Sequence, residues 1–131
     1  MLDRNEDREV EDLTPAQIEL LRGKLIAARA QIAARAQAGI KLRAERDADV
    51  GDAMDAAASS AEAEDSYAHV ERDRVTLVRI ERALAKLERG EDYGVSEASG
   101  EPIGFRRLEA VPWARLTIEE EEALERRARG R

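Results

Sequence analysis

Two pairs of polar residues near the C-terminus have the spacing of a four-ligand metal site and the wrong chemistry for one. Ser96 and Ser99 form one x-x pair, seventeen residues follow, and Thr117 and Glu120 form the second. Four cysteines at these positions would make a tetrahedral zinc site. Ser and Thr hydroxyls are poor zinc ligands at neutral pH, and one glutamate does not hold structural zinc alone. The spacing is that of a metal site, and the residue types predict no metal in it. Thr117 and Glu120 also spell T-x-x-E, a capping box at the start of a helix. Such a box contributes about 0.5–2 kcal/mol, against roughly 10–16 kcal/mol for structural zinc in finger peptides. Burial of Ile103, Phe105, Leu108 and Trp113 is expected to supply the rest, at about 1.5–3 kcal/mol for each large apolar side chain. Trp113, the only tryptophan, is expected to be largely buried.

A second concentration of chemistry lies mid-chain. Eight acidic residues and one basic residue fall between Glu45 and Asp65. Within this run Asp52 and Asp55 are three residues apart, with the small Ala57 after them. Carboxylates so placed suit interaction with a hard cation, and aspartates also serve local hydrogen bonding in a solvated turn. Further on, Arg72, Arg74 and Arg79 punctuate a charged helix, where they are either solvated or contact an acidic partner. His69 has no partner ligands nearby in sequence. No nucleophile–base set and no Gly-rich phosphate loop stand out, so neither an enzyme nor a bound cofactor is expected.

The residues around the degenerate metal positions carry a resemblance. Tyr93-Gly94, Gly100-Glu101-Pro102-Ile103-Gly104, Arg106-Arg107-Leu108-Glu109-Ala110 and Pro112 resemble the C-terminal zinc-finger region of the DksA/TraR proteins, with the finger cysteines replaced. Upstream, Asp52-Ala53-Met54-Asp55-Ala56-Ala57 is similar to the D-x-x-D-x-A motif at the family's coiled-coil tip. The resemblance implies a bacterial transcription regulator that binds RNA polymerase through its secondary channel. Asp52, Asp55 and Ala57 would then approach the catalytic magnesium region, and Arg72 and Arg79 would contact acidic polymerase surface. Arg106 and Arg107 would brace the finger against the base of the hairpin. The better-studied relatives bind guanosine tetraphosphate jointly with polymerase through basic residues directly after L-E-A and after the fourth cysteine. Here those positions are Val111 and Glu121, and only Arg79 keeps a charge where a third contact would fall. The two losses argue against guanosine tetraphosphate dependence. A helical-hairpin adaptor for some other protein partner is the competing function.

Composition sets the frame. The chain has 131 residues, no Cys, 3% aromatic and 39% charged residues, and a net charge of −7. Long solvated helices with a narrow apolar seam fit these values better than a large core. The negative charge argues against duplex DNA or an anionic membrane as partner, so no direct sequence-specific DNA binding is expected. No run approaches the roughly 18 apolar residues of a membrane span, and a cytoplasmic monomer is expected.

The elements follow from capping and periodicity. Residues 1–12 read as a mobile tail, 13–89 as a helical hairpin with its tip near 47–58, and 90–131 as a finger-like knuckle with a terminal helix. Thr14-Pro15-Ala16-Gln17 starts the first arm through a capping box with proline at N1. Ile18, Leu21, Leu25, Ala28, Ile32 and Ala36 recur at steps of three and four, a seam that carries the helix to about Arg46. Ser59 or Ser60 is expected to cap the second arm, with Tyr67, Val70, Arg74, Leu77, Ile80, Leu84 and Leu87 as its seam and Gly90 as its stop. The expected fold class is mainly α: a long antiparallel coiled-coil hairpin plus a small cysteine-less finger-like region, with a compact three-helix bundle as the alternative. No sheet of any size is expected after Gly90, and a terminal helix should run from Thr117 to about Ala128.

Overall fold

The computed structural model describes residues 13–48 and 56–130 of the chain. Helix α1 spans Pro15–Ala48. Its start is closed reciprocally: the Thr14 amide donates to Gln17 Oε1 at 2.9 Å, and the Gln17 amide donates to Thr14 Oγ1 at 3.1 Å. Helix α2 spans Ala56–Arg89, so Ser59 and Ser60 lie inside it and do not cap it. Ala56, Ala57 and Ala58, the best helix formers, outweigh the capping preference of the serines and carry the helix further toward the turn. At the other end Gly90, with φ of 74°, stops α2 in a Schellman motif. Its amide reaches Leu87 O at 3.2 Å and the Glu91 amide reaches Lys86 O at 3.2 Å, the two bonds that close this motif.

The two long helices are antiparallel. Arg29 pairs with Glu81, Arg35 with Asp73, and the Arg43 guanidinium lies 5.9 Å over the Tyr67 ring. Positions rise on α1 as they fall on α2, which fixes the register. The seam between them is filled only near the base. Leu25, Ile32, Ile80 and Ala83 form the buried cluster, with Ala28, Leu77, Leu84, Leu87, Tyr93 and Trp113 packed around it. Ala83, absent from the expected seam, is buried as a member of that cluster. The outer arms differ from expectation: Ala36, Tyr67, Val70 and Arg74 are exposed, and Tyr67 keeps 64% of its surface in solvent. Among the described residues the arm beyond Ile32 is held by polar contacts, chiefly the bidentate Arg35–Asp73 pair at 2.9 and 3.0 Å. Arg35 holds the Asp73 carboxyl below its ordinary range.

The C-terminal region folds back onto the hairpin base. An isolated antiparallel bridge joins Val95 and Pro102, and the turn it closes is pinned by Ser96 N to Glu101 O at 2.7 Å and Ile103 N to Gly94 O at 2.8 Å. Helix α3, Phe105–Ala110, is a six-residue element that sequence periodicity does not announce. It buries Leu108. Helix α4 spans Ile118–Arg129, with three acidic residues in its first turn and three arginines in its last, an arrangement that suits the helix dipole. No described helix is long and apolar enough to cross a membrane.

Candidate functional site

The four positions with metal-site spacing do converge in space, and they converge on a carboxylate. Thr117 caps α4: its amide donates to Glu120 Oε1 at 2.8 Å, and the Glu120 amide donates to Thr117 Oγ1 at 3.2 Å. Ser96 comes to the same place from the knuckle. It is the one buried polar residue among those described, 3% exposed. Its Oγ accepts from the amides of Ala98 at 3.1 Å and Ser99 at 3.2 Å, which leaves its proton free to donate.

That proton goes to Glu120. Hydrogen bonding from the Ser96 hydroxyl, then from the Thr117 backbone, with smaller help from the Ser99 and Thr117 hydroxyls, holds the Glu120 carboxyl down at about 2. Donors aimed at the charged form lower a carboxyl pKa in this way. One negative charge surrounded by hydroxyl and amide donors thus occupies the centre that four thiolates would share around a metal.

This donor set does not fit zinc. Three of its four members are neutral hydroxyls, and the only anion already accepts hydrogen bonds from the others. No group of three His, Cys, Asp or Glu among the described residues could hold a metal ion.

The knuckle is fastened to the hairpin by contacts that were not visible in the sequence. Glu97 takes Arg82 at 2.9 Å and Lys86 at 3.1 Å, both from α2. The Glu97 amide also donates to Arg115 O at 2.8 Å. Lys24 on α1 donates to Glu109 O at 3.0 Å. The Tyr93 hydroxyl donates to Pro112 O at 2.9 Å, and burial pushes its phenol pKa up. Gly94 has φ of 87° and lies against Leu13 and Leu108. Arg106 is exposed, and Arg107 is half-buried with its Nε covered; among the described residues neither side chain has a hydrogen bond or ion pair.

Trp113 departs from expectation as well. It is half-buried, as are Ile103 and Phe105, while Leu108, Pro112 and Leu116 are buried. One side of the indole packs against the hairpin cluster, and another lines a notch of about 200 Å³ with Val78, Arg79, Arg82, Ala83, Glu97 and Arg115.

On the hairpin, Ala57 lies in the second position of α2, while Asp52 and Asp55 fall outside the described residues. Arg72 is exposed and lies 2.8 Å from His69 Nδ1, an i, i+3 pairing that the spacing alone could have indicated. Arg79 is half-buried beside Trp113. Arg72 and Arg79 lie two turns apart on one helix face, well away from the Glu120 network in sequence and on a different element.

No family model matches the chain. It is 30% identical over 132 residues to the RNA polymerase-binding transcription factor DksA of Caulobacter vibrioides, covering 98% of this chain and 92% of that protein. To the protein of the same name from Escherichia coli K12 it is 41% identical over 68 residues, covering 52% of this chain and 44% of the relative. The solved structure of transcription factor DksA2 from Pseudomonas aeruginosa matches with a TM-score of 0.73 at 34% identity, over 88% of both chains.

Proposed function

The chain belongs to the DksA/TraR family of RNA polymerase-binding transcription regulators, and from that premise we propose how it acts. The hairpin enters the polymerase's secondary channel and carries Asp52 and Asp55 toward the catalytic magnesium, with Ala57 keeping the apex small. The observation that supports this reading is the shape of the arms. Each long helix has 34 residues, about 50 Å at 1.5 Å per residue. Beyond Ile32 nothing described packs on the pair, so the outer hairpin is only two helices thick. A thin, polar, acidic-ended probe suits a narrow solvent-filled channel whose far end holds a divalent cation.

Two further features belong to this reading. The regulator works without zinc, because the Glu120 network supplies the knuckle's centre. It also responds little to guanosine tetraphosphate, because Val111 and Glu121 stand where relatives place basic residues, and phosphate binding needs charge-assisted donors.

The test is a purified transcription assay with Asp52→Asn and Asp55→Asn combined. The double variant should lose its effect on initiation while still co-purifying with core polymerase, and its helicity should be unchanged. Normal regulation by that variant would remove the tip from the mechanism and leave the hairpin as an adaptor.

A further inference from the structure

We propose that Arg35 and Asp73 are positioning residues: their paired charges set the register and separation of the outer arms, and with them the place of the hairpin's acidic apex. The consequence for transcription rests on the polymerase-binding reading, whereas the geometry rests on the hairpin alone.

The pair occupies the seam itself. On α1, Leu21, Ala28 and Arg35 recur every seven residues, and on α2, Leu87, Ile80 and Asp73 do the same in the opposite direction. Leu21 and Ile80 are fully buried, and Ala28 and Leu87 pack on the hairpin cluster. The heptad seam therefore passes through Arg35 and Asp73, and the neighbouring Ala36 and Arg74 face solvent. Apolar residues at these two positions would remove more surface from water. A polar group at one seam position of a coiled coil instead specifies register, at a cost in stability.

The bonding geometry suits that task. Arg35 Nε donates to Asp73 Oδ2 at 3.0 Å, and Arg35 Nη2 donates to Asp73 Oδ1 at 2.9 Å. Two parallel bonds fix direction as well as distance. Arg35 keeps 59% of its side-chain surface exposed and Asp73 keeps 29%, so salt screens the pair and it adds little to global stability. Its effect falls on the arm. Outward of Ile32 no described side chain is buried. There the arms meet through this pair and through Arg43, which lies 5.9 Å over the Tyr67 ring. Beyond Arg35, α1 runs about 20 Å further to Ala48 at 1.5 Å per residue. With so little packing to space the helices over that length, a small free energy decides how they lie.

Arg29 and Glu81 make the opposite case. Their contact is 3.4 Å long and is flanked in sequence by Ala28 and Ile80 of the cluster, where packing already fixes the helices.

The experiment uses the full chain, which has no cysteine, with Ala48→Cys and Glu64→Cys carrying spin labels at exposed sites on the two arms. Pulsed electron paramagnetic resonance should give one narrow distance distribution for the parent. Arg35→Asp or Asp73→Arg alone should broaden it, and the two together, which reverse the pair, should narrow it again. Glu81→Ala should leave it narrow. In a purified transcription assay each unlabelled single variant should keep its half-maximal concentration within about twofold while its maximal effect on initiation falls about fivefold, or about 1 kcal/mol. The reversed pair should recover most of that effect. Helicity and melting curve should stay close to the parent's throughout, which a purely stabilising pair would not allow. Should either reversal disturb folding, Arg35→Gln carries the same reading.

An unchanged distance distribution in the single variants would overturn the clamp, as would equal broadening by Glu81→Ala. A broadened distribution with full regulation would overturn its role at the apex. A reversed pair that folds and recovers neither signal would show that the two residues act separately. Absence of any effect of the parent on initiation would overturn the polymerase reading and the role at the apex with it, while the distances would still decide the clamp.

Discussion

Replacing Ser96 by alanine tests whether a hydrogen-bond network anchors the knuckle. The substitution keeps the backbone and removes one buried oxygen. That oxygen accepts two amide protons, at 3.1 and 3.2 Å, and supplies the leading donor to Glu120. Ala98 and Ser99 are exposed, so water can reach their freed amides and recover part of the loss. The expected cost is about 1–2 kcal/mol, the lower half of the range for disrupting a buried polar partner. For a chain of this size that is roughly 3–8 °C in Tm.

Two signals locate the damage. Trp113 emission reports the knuckle, and far-ultraviolet circular dichroism reports the hairpin. The first should melt earlier in Ser96→Ala, with little change in the second at low temperature. Acid adds an independent arm. Glu120 is held at about 2, below its ordinary 4.5. Its contribution is therefore present above pH 4.5 and is lost as pH falls toward 2. The parent knuckle should loosen across that window. In Ser96→Ala the carboxyl moves back toward its ordinary value, so a smaller part of the stability titrates there. A variant melting within about 1 °C of the parent, with the same acid profile, would refute the network as the anchor.

Other expectations follow from the same geometry. Elemental analysis of the purified protein should find no stoichiometric zinc, and a chelator should leave the melting curve unchanged, since the positions with metal-site spacing hold three hydroxyls and one engaged carboxylate. Trp113→Ala should cost about 2 kcal/mol, below the 3–5 of a fully buried aromatic, because the indole is half-buried; thermal unfolding followed by circular dichroism should show the hairpin helicity retained. Gly94→Ala should destabilise by more than about 1 kcal/mol in urea titration. Its φ is 87° and a Cβ there would lie 3.1 Å from Leu13 Cδ1.

The amino-acid sequence by itself determined what is local. The Thr14–Gln17 and Thr117–Glu120 boxes each need only residues three apart, and both formed with all four hydrogen bonds. The stop at Gly90 needed only a residue that tolerates positive φ. The three–four apolar spacing sufficed for two long helices, and the absence of cysteine removed the thiolates that a zinc site of this spacing would use. The resemblance of the knuckle residues also pointed to the family to which the chain belongs. Tertiary structure decided everything that depends on which distant groups meet. Periodicity could not tell that the seam is buried only as far out as Ile32, because an apolar repeat reads the same whether or not a third body covers it. Nor could it place Trp113, which divides its faces between the hairpin cluster and an open notch. The pairing of Glu97 with Arg82 and Lys86 joins residues 15 and 11 positions apart across a chain reversal, a spacing that carries no local signal. The convergence of Ser96 and Ser99 on Glu120 is of the same kind. A hydroxyl lowers a carboxyl pKa only at hydrogen-bond distance, and that distance was set by the fold of the knuckle against α4.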